Sequence, residues 1–423
     1  MRRSIRLAAA AAGAAALFLT ACSNNPTSAD DQVLTMFASS DFKTAVDPLV
    51  ADFEAANPGV KVNVTFAGGN DFETTEGTAI ASGNGPDIID ALPGTTGAIS
   101  TQQLIKDGTV LDLSDQTWAK DVPASVNSQN QPDLPDNKGV FFYPVLVQPM
   151  GAFYNVATLK EAGLTAPTTW AGVMEYCAAA RKAGKVPYSL GIADQWITQL
   201  VPYTLVNTLL YGKDPTWGRN GDLTSGKVKF TESPWVETFQ KYDEMRKVGC
   251  FTEDPNAVSL DNSLAPVATG KAGGIVQVGG LFSNLQSLDK EAEYTLLPLP
   301  ATDDEADTFM PAAPAHEFGV NAKSENKDLA LKFINFLAEP ANVNKFVGNV
   351  GGAVVAVPND SFQPPALLDN FYTYVKDDKI RSFPYLPNSE VANALMVGTQ
   401  NMFLKKATPE EVVAGMQKAV GAK

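Results

Sequence analysis

Two short segments and the stop between them do most to limit the folds open to this chain. Phe42, Val46, Leu49, Val50 and Phe53 recur at helical spacing, Asn57-Pro58-Gly59 ends the run, and Val60, Val62, Val64 and Phe66 then alternate. The first period places one apolar stripe on a helix; the second gives a strand buried on one face. Val33-Leu34-Thr35-Met36-Phe37 before them and Asp87-Ile88-Ile89 after them read as further strands. Strand, helix, strand, helix, strand predicts an α/β fold, a mostly parallel sheet with helices on both faces.

The helical pattern continues downstream. Trp170, Val173, Met174, Cys177 and Ala178 form one stripe. Ser233-Pro234 opens a helix with Trp235, Phe239 and Tyr242 inward, and Gly249 closes it, the usual order of proline and glycine about a helix. Ser324 is predicted to cap another, with Leu329, Phe333, Phe336 and Leu337 inward and Pro340 as its stop. Thr408-Pro409-Glu410-Glu411 has the form of a capping box before the last helix. Most aromatics at such spacings are core residues.

The amino-terminal segment concerns location. Arg2, Arg3 and Arg6 precede an apolar run from Leu7 to Leu19 and then Leu19-Thr20-Ala21-Cys22. Residues 1–21 have the form of a secretion signal, and the tetrapeptide resembles a bacterial lipobox, in which Cys22 takes a lipid once the signal is cut. An ordinary signal peptide or a short membrane anchor is the alternative, although the run is short and alanine-rich for a span. Residues 22–32, polar and aperiodic, read as a tether. The expected location is outside the cytoplasm, held to the cell membrane by lipid.

Removing residues 1–21 takes away three arginines and leaves 29 Lys+Arg against 47 Asp+Glu, a net charge of −18. That surface lacks the basic footprint nucleic acid needs. About 400 remaining residues exceed what one core usually holds, so two domains are expected. Cys177 and Cys250 remain once Cys22 is assigned to lipid. An oxidising compartment predicts that they pair; two separate buried thiols are the alternative.

Several segments together resemble the extracellular solute-binding proteins of ABC importers, in the carbohydrate-binding family that includes the maltose-binding protein. They are Phe53–Val62, Ser82–Ile89 with its Pro86-Asp87, Phe153-Tyr154-Asn155 followed by Ala162-Gly163-Leu164 and Thr169-Trp170, Gly270–Gly274 leading to Gly279-Gly280-Leu281-Phe282, and Ser324–Leu337 followed by Gly351–Pro358. The resemblance covers nearly the whole chain after the signal. It implies a two-lobe periplasmic-binding-protein-like fold with discontinuous lobes joined by hinge strands. Lobe one would be 33–148 and 298–352, lobe two 149–297 and 353–423, with crossings near Val147–Phe153, Leu296–Pro300 and Ala353–Val357. It implies a monomer, without cofactor or metal, that captures a mono- or oligosaccharide and delivers it to membrane permease subunits driven by a separate ATPase. Asp87 and Asn155 would be architectural.

A sugar needs flat aromatic surface and fixed hydrogen-bonding groups. Open α/β sheets place ligands beyond the carboxyl ends of their strands. The candidates in lobe one are Ser39, Ser40, Asp41, Asp90, Thr95, Tyr143, Gln148, His316 and Glu317. In lobe two they are Trp196, Tyr203, Gly280, Phe282, Arg381 and Tyr385; Phe282 stands where many relatives carry tryptophan. Trp217, in the loop from Tyr211 to Gly221, is either a lid or loop packing.

Catalysis has little to build on. His316 is the only histidine, so any nucleophilic triad runs through it. No Gly-x-Ser-x-Gly elbow or zinc-like histidine cluster occurs, and Gly273–Gly280 lacks the Gly-Lys-Ser/Thr ending of a phosphate loop. Carboxylates are plentiful enough for a two-carboxylate glycosidase, though nothing positions a pair. Two other readings stay open: a binding protein for a non-sugar solute such as a polyamine, which would gather carboxylates around its ligand, or for an iron complex, which one histidine disfavours.

Overall fold

The computed structural model describes residues 32–94, 97–127, 139–219 and 221–421. Cys22, the signal, the tether up to residue 31 and Thr95 lie outside the described residues. No helix among the described residues is long and apolar enough to cross a membrane.

The opening forms as its periodicity demands. Strand Gln32–Ser39 runs into a short 3-10 turn and helix Lys43–Ala56, which buries Val46, Leu49 and Phe53. Asn57 ends that helix by donating its side-chain amide to Phe53 O at 2.7 Å, and Gly59 takes φ +88°. Strand Val60–Ala67 then pairs parallel with the first strand along its whole length. Ile88–Ala91 adds on the other side, also parallel. Glu317–Val320 joins antiparallel, and Tyr143-Pro144 closes a five-stranded sheet. This sheet carries the first lobe.

The second sheet is built around the long strand Leu146–Asn155, which pairs with Ala272–Val278, Tyr294–Leu297 and Met310–Pro314. Val186–Ser189 and Ile380-Arg381 extend it at its two ends. Helices Trp170–Lys182, Trp235–Lys247, Ser389–Phe403 and Pro409–Ala419 supply apolar faces to its core. The two sheets come within a few residues of each other at Pro144/Leu146 and again at Pro314/Glu317. Between Leu296–Pro300, where a crossing is expected, and the second passage, Met310–Pro314 pairs with Leu146–Asn155 and Trp170 N donates to Thr302 O.

Local signals worked where the chain itself supplies the partner. Thr169 Oγ1 accepts from Gly172 N at 3.1 Å. Thr408 and Glu411 exchange both bonds of the capping box. Asn155 caps Val156–Ala162 and donates to Val267 O, and Asp87 accepts from Thr35 N and Oγ1. One reading fails. Ser324 does not cap the helix at Lys327–Ala338; its hydroxyl donates to Asp87 and accepts from Asn326 N. That helix stops ahead of Pro340 as expected, and Pro340 also opens the next one, Pro340–Val350, at a first-turn position that has no N–H to lose. Cys177 and Cys250 are joined by a disulfide, their Cα atoms 5.0 Å apart.

Candidate functional site

A cavity of about 390 Å³ opens between the lobes. The first lobe supplies Pro93, Gly94 and Gln102, just past strand Ile88–Ala91, and Ala313 comes from a strand of the second sheet. The second lobe supplies Gln199, Tyr203, Arg219, the run Ser382-Phe383-Pro384-Tyr385-Leu386, Asn388, Ser389 and Ala392.

Specific contacts hold these groups. Helix Leu200–Val206 continues into a π turn at Asn207–Tyr211, a bulge that often marks functional sites. The turn carries the buried Asn207, whose Nδ2 donates to Ser382 O at 3.2 Å. Tyr203 donates its hydroxyl to Gln199 Oε1 at 2.7 Å, and its ring lies 6.3 Å from that of Phe383. Burial pushes the Tyr203 hydroxyl well above its usual titration range, so it stays neutral. The segment 382–386 is thereby strapped across the helix, with prolines limiting its freedom. Arg219 lies over the Tyr385 ring, 5.8 Å from its centroid, with Nη2 3.4 Å from Ser382 Oγ. No aspartate or glutamate occurs among the described residues that line the cavity.

Of the expected contacts, Tyr203 and Tyr385 line this cavity. Gln148 lies at its amide's reach from Gly280, at whose Cα an added Cβ would meet Gln148 Oε1 at 3.2 Å. Trp196 is 39% exposed on the 3-10 turn Gln195–Gln199, outside the lining. Phe282 packs edge-on to Tyr294. Ser40 is exposed, and Asp41 belongs to the same turn, Ser40–Phe42.

Three candidates lie outside this lining. Tyr143 is a core residue, its ring 4.9 Å from Trp118 in a T-shaped contact, because the short strand Tyr143-Pro144 pairs with Glu317–Val320 inside the first sheet. Arg381 is turned back on the backbone: it donates to Asp378 O, Ile380 O and Gly212 O and lies over the Phe309 ring. Trp217, the lid candidate, packs between Tyr211 and Phe230. The loop does reach the cavity, but through Arg219, two residues on. The sequence offered no periodic signal for Arg219, Gln102, Gln199 or Asn388.

Ser39, Asp90, His316 and Glu317 form a separate cluster at the carboxyl edge of the first sheet. Asp90 is fully buried; its Oδ1 lies 2.8 Å from His316 Nδ1, and its Oδ2 accepts from Ser39 N at 3.1 Å. Asp90 N donates to Glu76 Oε1 at 3.2 Å. Burial first, and the neighbouring Asp90 charge second, raise the Glu76 carboxyl well above the usual carboxylate range. The His316 ring meets Phe42 and Phe72. Ser39 meets Asp90 through its backbone N–H. Glu317 is fully buried beside it.

Two stretches of backbone also touch at a glycine pair. A Cβ on Gly279 would meet Gly352 O at 2.3 Å, and one on Gly352, at φ +64°, would meet Gly279 O at the same distance. Only glycine permits two backbones so near each other.

Relatives share this architecture. Across 385 residues the chain is 20% identical to the multiple sugar-binding protein of Streptococcus mutans, covering 86% of this chain and 87% of that one. It is 24% identical over 330 residues to the sn-glycerol-3-phosphate-binding periplasmic protein UgpB of Shigella flexneri, covering 72% and 70%. The fold matches that of RafE from Streptococcus pneumoniae in its apo form, with a TM-score of 0.79, 16% identity and coverage of 93% and 98%. It also matches a sugar transporter of Bacillus licheniformis in complex with stachyose, with a TM-score of 0.65, 22% identity and coverage of 91% and 98%. The family model for the bacterial extracellular solute-binding proteins matches residues 39–344, and the chain belongs to that family of transport receptors.

Proposed function

We propose that this chain is the receptor of an importer, capturing a carbohydrate or related polyol between its lobes and presenting it to a membrane permease. The lining of the cavity carries the reading. Tyr203, Phe383 and Tyr385 provide aromatic surface, Gln102, Gln199 and Asn388 provide planar amides, and Ser382 and Ser389 provide hydroxyls. That set suits rings with hydroxyl-bearing edges and apolar faces. A polyamine would need carboxylates, and the described lining has none. The relatives named for a sugar and for a polyol phosphate point the same way.

Ligand contacts from both lobes would favour a closed form by their differential affinity for it. The passages at Pro144/Leu146 and Pro314/Glu317, with the Gly279–Gly352 contact, would act as the hinge. Cys22 would carry the lipid that holds the receptor at the outer face of the membrane, and the receptor would act as a monomer. Gln148, Gly280 and Phe282 would extend the binding surface from the second lobe.

A melting-temperature screen with mono- and oligosaccharides, polyols and spermidine tests this. A saccharide or polyol is expected to raise the transition and to shrink the radius of gyration in solution scattering. Stabilisation by spermidine alone, with no response to any saccharide or polyol, would refute it.

A further inference from the structure

The helix that carries Tyr203 to the cavity changes pitch just beyond it. Leu200–Val206 is followed by the π turn Asn207–Tyr211, and Gly212 N donates to Asn207 O, five residues back, at 2.7 Å. One residue more in a turn rotates all that follows by about 100° around the helix axis. In that register Asn207 Nδ2 donates to Ser382 O at 3.2 Å, and Gly212 O accepts from Arg381 Nη2 at 3.3 Å. Thr208 Oγ1 accepts from Phe309 N, also at 3.3 Å, and a Cβ on Gly212 would run into the Phe309 ring. The turn therefore holds two neighbouring strands at once, since Ile380-Arg381 pairs with Met310-Pro311. Both lead into the cavity lining, one at Ser382 and the other at Ala313.

We propose that this π turn sets where the two walls meet the ligand, and that Asn207 is the positioning residue through which it does so. This rests on the cavity being the ligand site. Asn207 is fully buried and is not part of the lining, so its effect on a ligand passes through Ser382. Its Oδ1 has no hydrogen-bond partner among the described residues. A buried acceptor left open offsets what the Nδ2 bond contributes, so fold stability alone gives little reason for an amide at this place. The position of the wall does give one. The bond fixes the backbone of Ser382 at the start of the segment 382–386, which carries Phe383 and Tyr385. A wall held in place before the ligand arrives loses less freedom on binding.

Isothermal titration tests this, with the saccharide or polyol that gives the largest melting shift on the wild-type protein. Asn207→Leu fills the same space without the donor and is expected to weaken that ligand about tenfold in the folded protein. Amide exchange in the segment 382–386 of the free protein should quicken, while that of the helix Pro409–Ala419 stays as it was. Adding Tyr385→Ala to Asn207→Leu should weaken binding by less than Tyr385→Ala does alone, because the ring has already lost its place. A residue that only stabilises the fold would lower the melting temperature and leave affinity and this coupling unmoved. Thr208→Val, which removes the acceptor for Phe309 N, gives the same test with a smaller loss if Asn207→Leu does not fold. Unchanged affinity in a folded variant, or strictly additive losses in the double variant, overturns the positioning role and leaves the cavity reading standing. A wild-type protein that binds no saccharide or polyol overturns both.

Discussion

Two regions of this molecule gather polar side chains at the face between the lobes, and they treat charge in opposite ways. The cluster of Asp90, His316, Glu76 and Glu317 is acidic, its carboxylates are buried, and Asp90 is bound inward: it accepts from Ser39 N, pairs with His316 and donates its own N–H to Glu76. The cavity, a few residues further along the same strand, is lined by amides, hydroxyls and aromatic rings with one arginine. A buried carboxylate is costly unless it is paired or hydrogen-bonded, and the Asp90 oxygens, both so engaged, are not offered to a ligand. The residues that look most chemical in the sequence therefore brace the first sheet, and plainer ones line the cavity.

The sharpest way to break this comparison is to remove Asp90. Asp90→Ala deprives His316 and Ser39 N of their acceptor in a buried site, and the expected loss is about 3 kcal/mol of folding stability. Urea unfolding measures it; a variant that stays stable but loses ligand would move Asp90 into the binding set. Next comes the glycine contact. Gly352→Ala places a Cβ 2.3 Å from Gly279 O at positive φ, for an expected cost of about 2 kcal/mol. Gly348→Ala, with nothing within 4 Å of its added Cβ, is the control; it should be neutral or stabilising by up to about 1 kcal/mol.

The cavity side of the comparison predicts a loss of binding with little loss of stability. Tyr385→Ala should weaken the ligand found in the screen by about tenfold, from the lost stacking surface, with unfolding unchanged within about 1 kcal/mol. Equal losses in both would show that the segment 382–386 is structural. The smallest effect expected is at Glu76. Because its carboxyl is held above the usual range, its contribution to stability is fullest where the unfolded glutamate is protonated and is lost as pH rises toward the folded value. Glu76→Gln should flatten the decline in melting temperature from about pH 4 upward. Parallel curves for the two proteins would show that Glu76 is not the group responsible.

Much of the fold was legible along the chain. The helix stripe of the opening segment and the capping box at Thr408 depend on partners within about four residues, and they form where read. Pro340 shows the limit, since a proline serves equally to stop one helix or to start the next. Ser324 shows another: a hydroxyl that could cap locally is instead taken by Asp87, 237 residues away.

The site was legible only in part. Tyr385 and Tyr203 stand out as aromatics near irregular or helical turns, and both line the cavity. Arg381 and Arg219 carry the same chemistry in the sequence, yet one is spent on three carbonyls and a ring while the other faces the cavity. Tyr143 sits at a strand end, as a ligand contact would, and is buried by Trp118.

By itself, then, the amino-acid order determined the alternation of strands and helices, the α/β class and the likeness to a receptor family. Those follow from periodicity and short-range hydrogen bonds, which a chain carries with it wherever it goes. Which arginine lines the cavity, which carboxylates brace the sheet and where the two sheets exchange strands depended on the tertiary structure. Residues such as Arg219 and Ser382, 163 positions apart, meet only when the second lobe folds, and burial then assigns side chains of the same type to different roles.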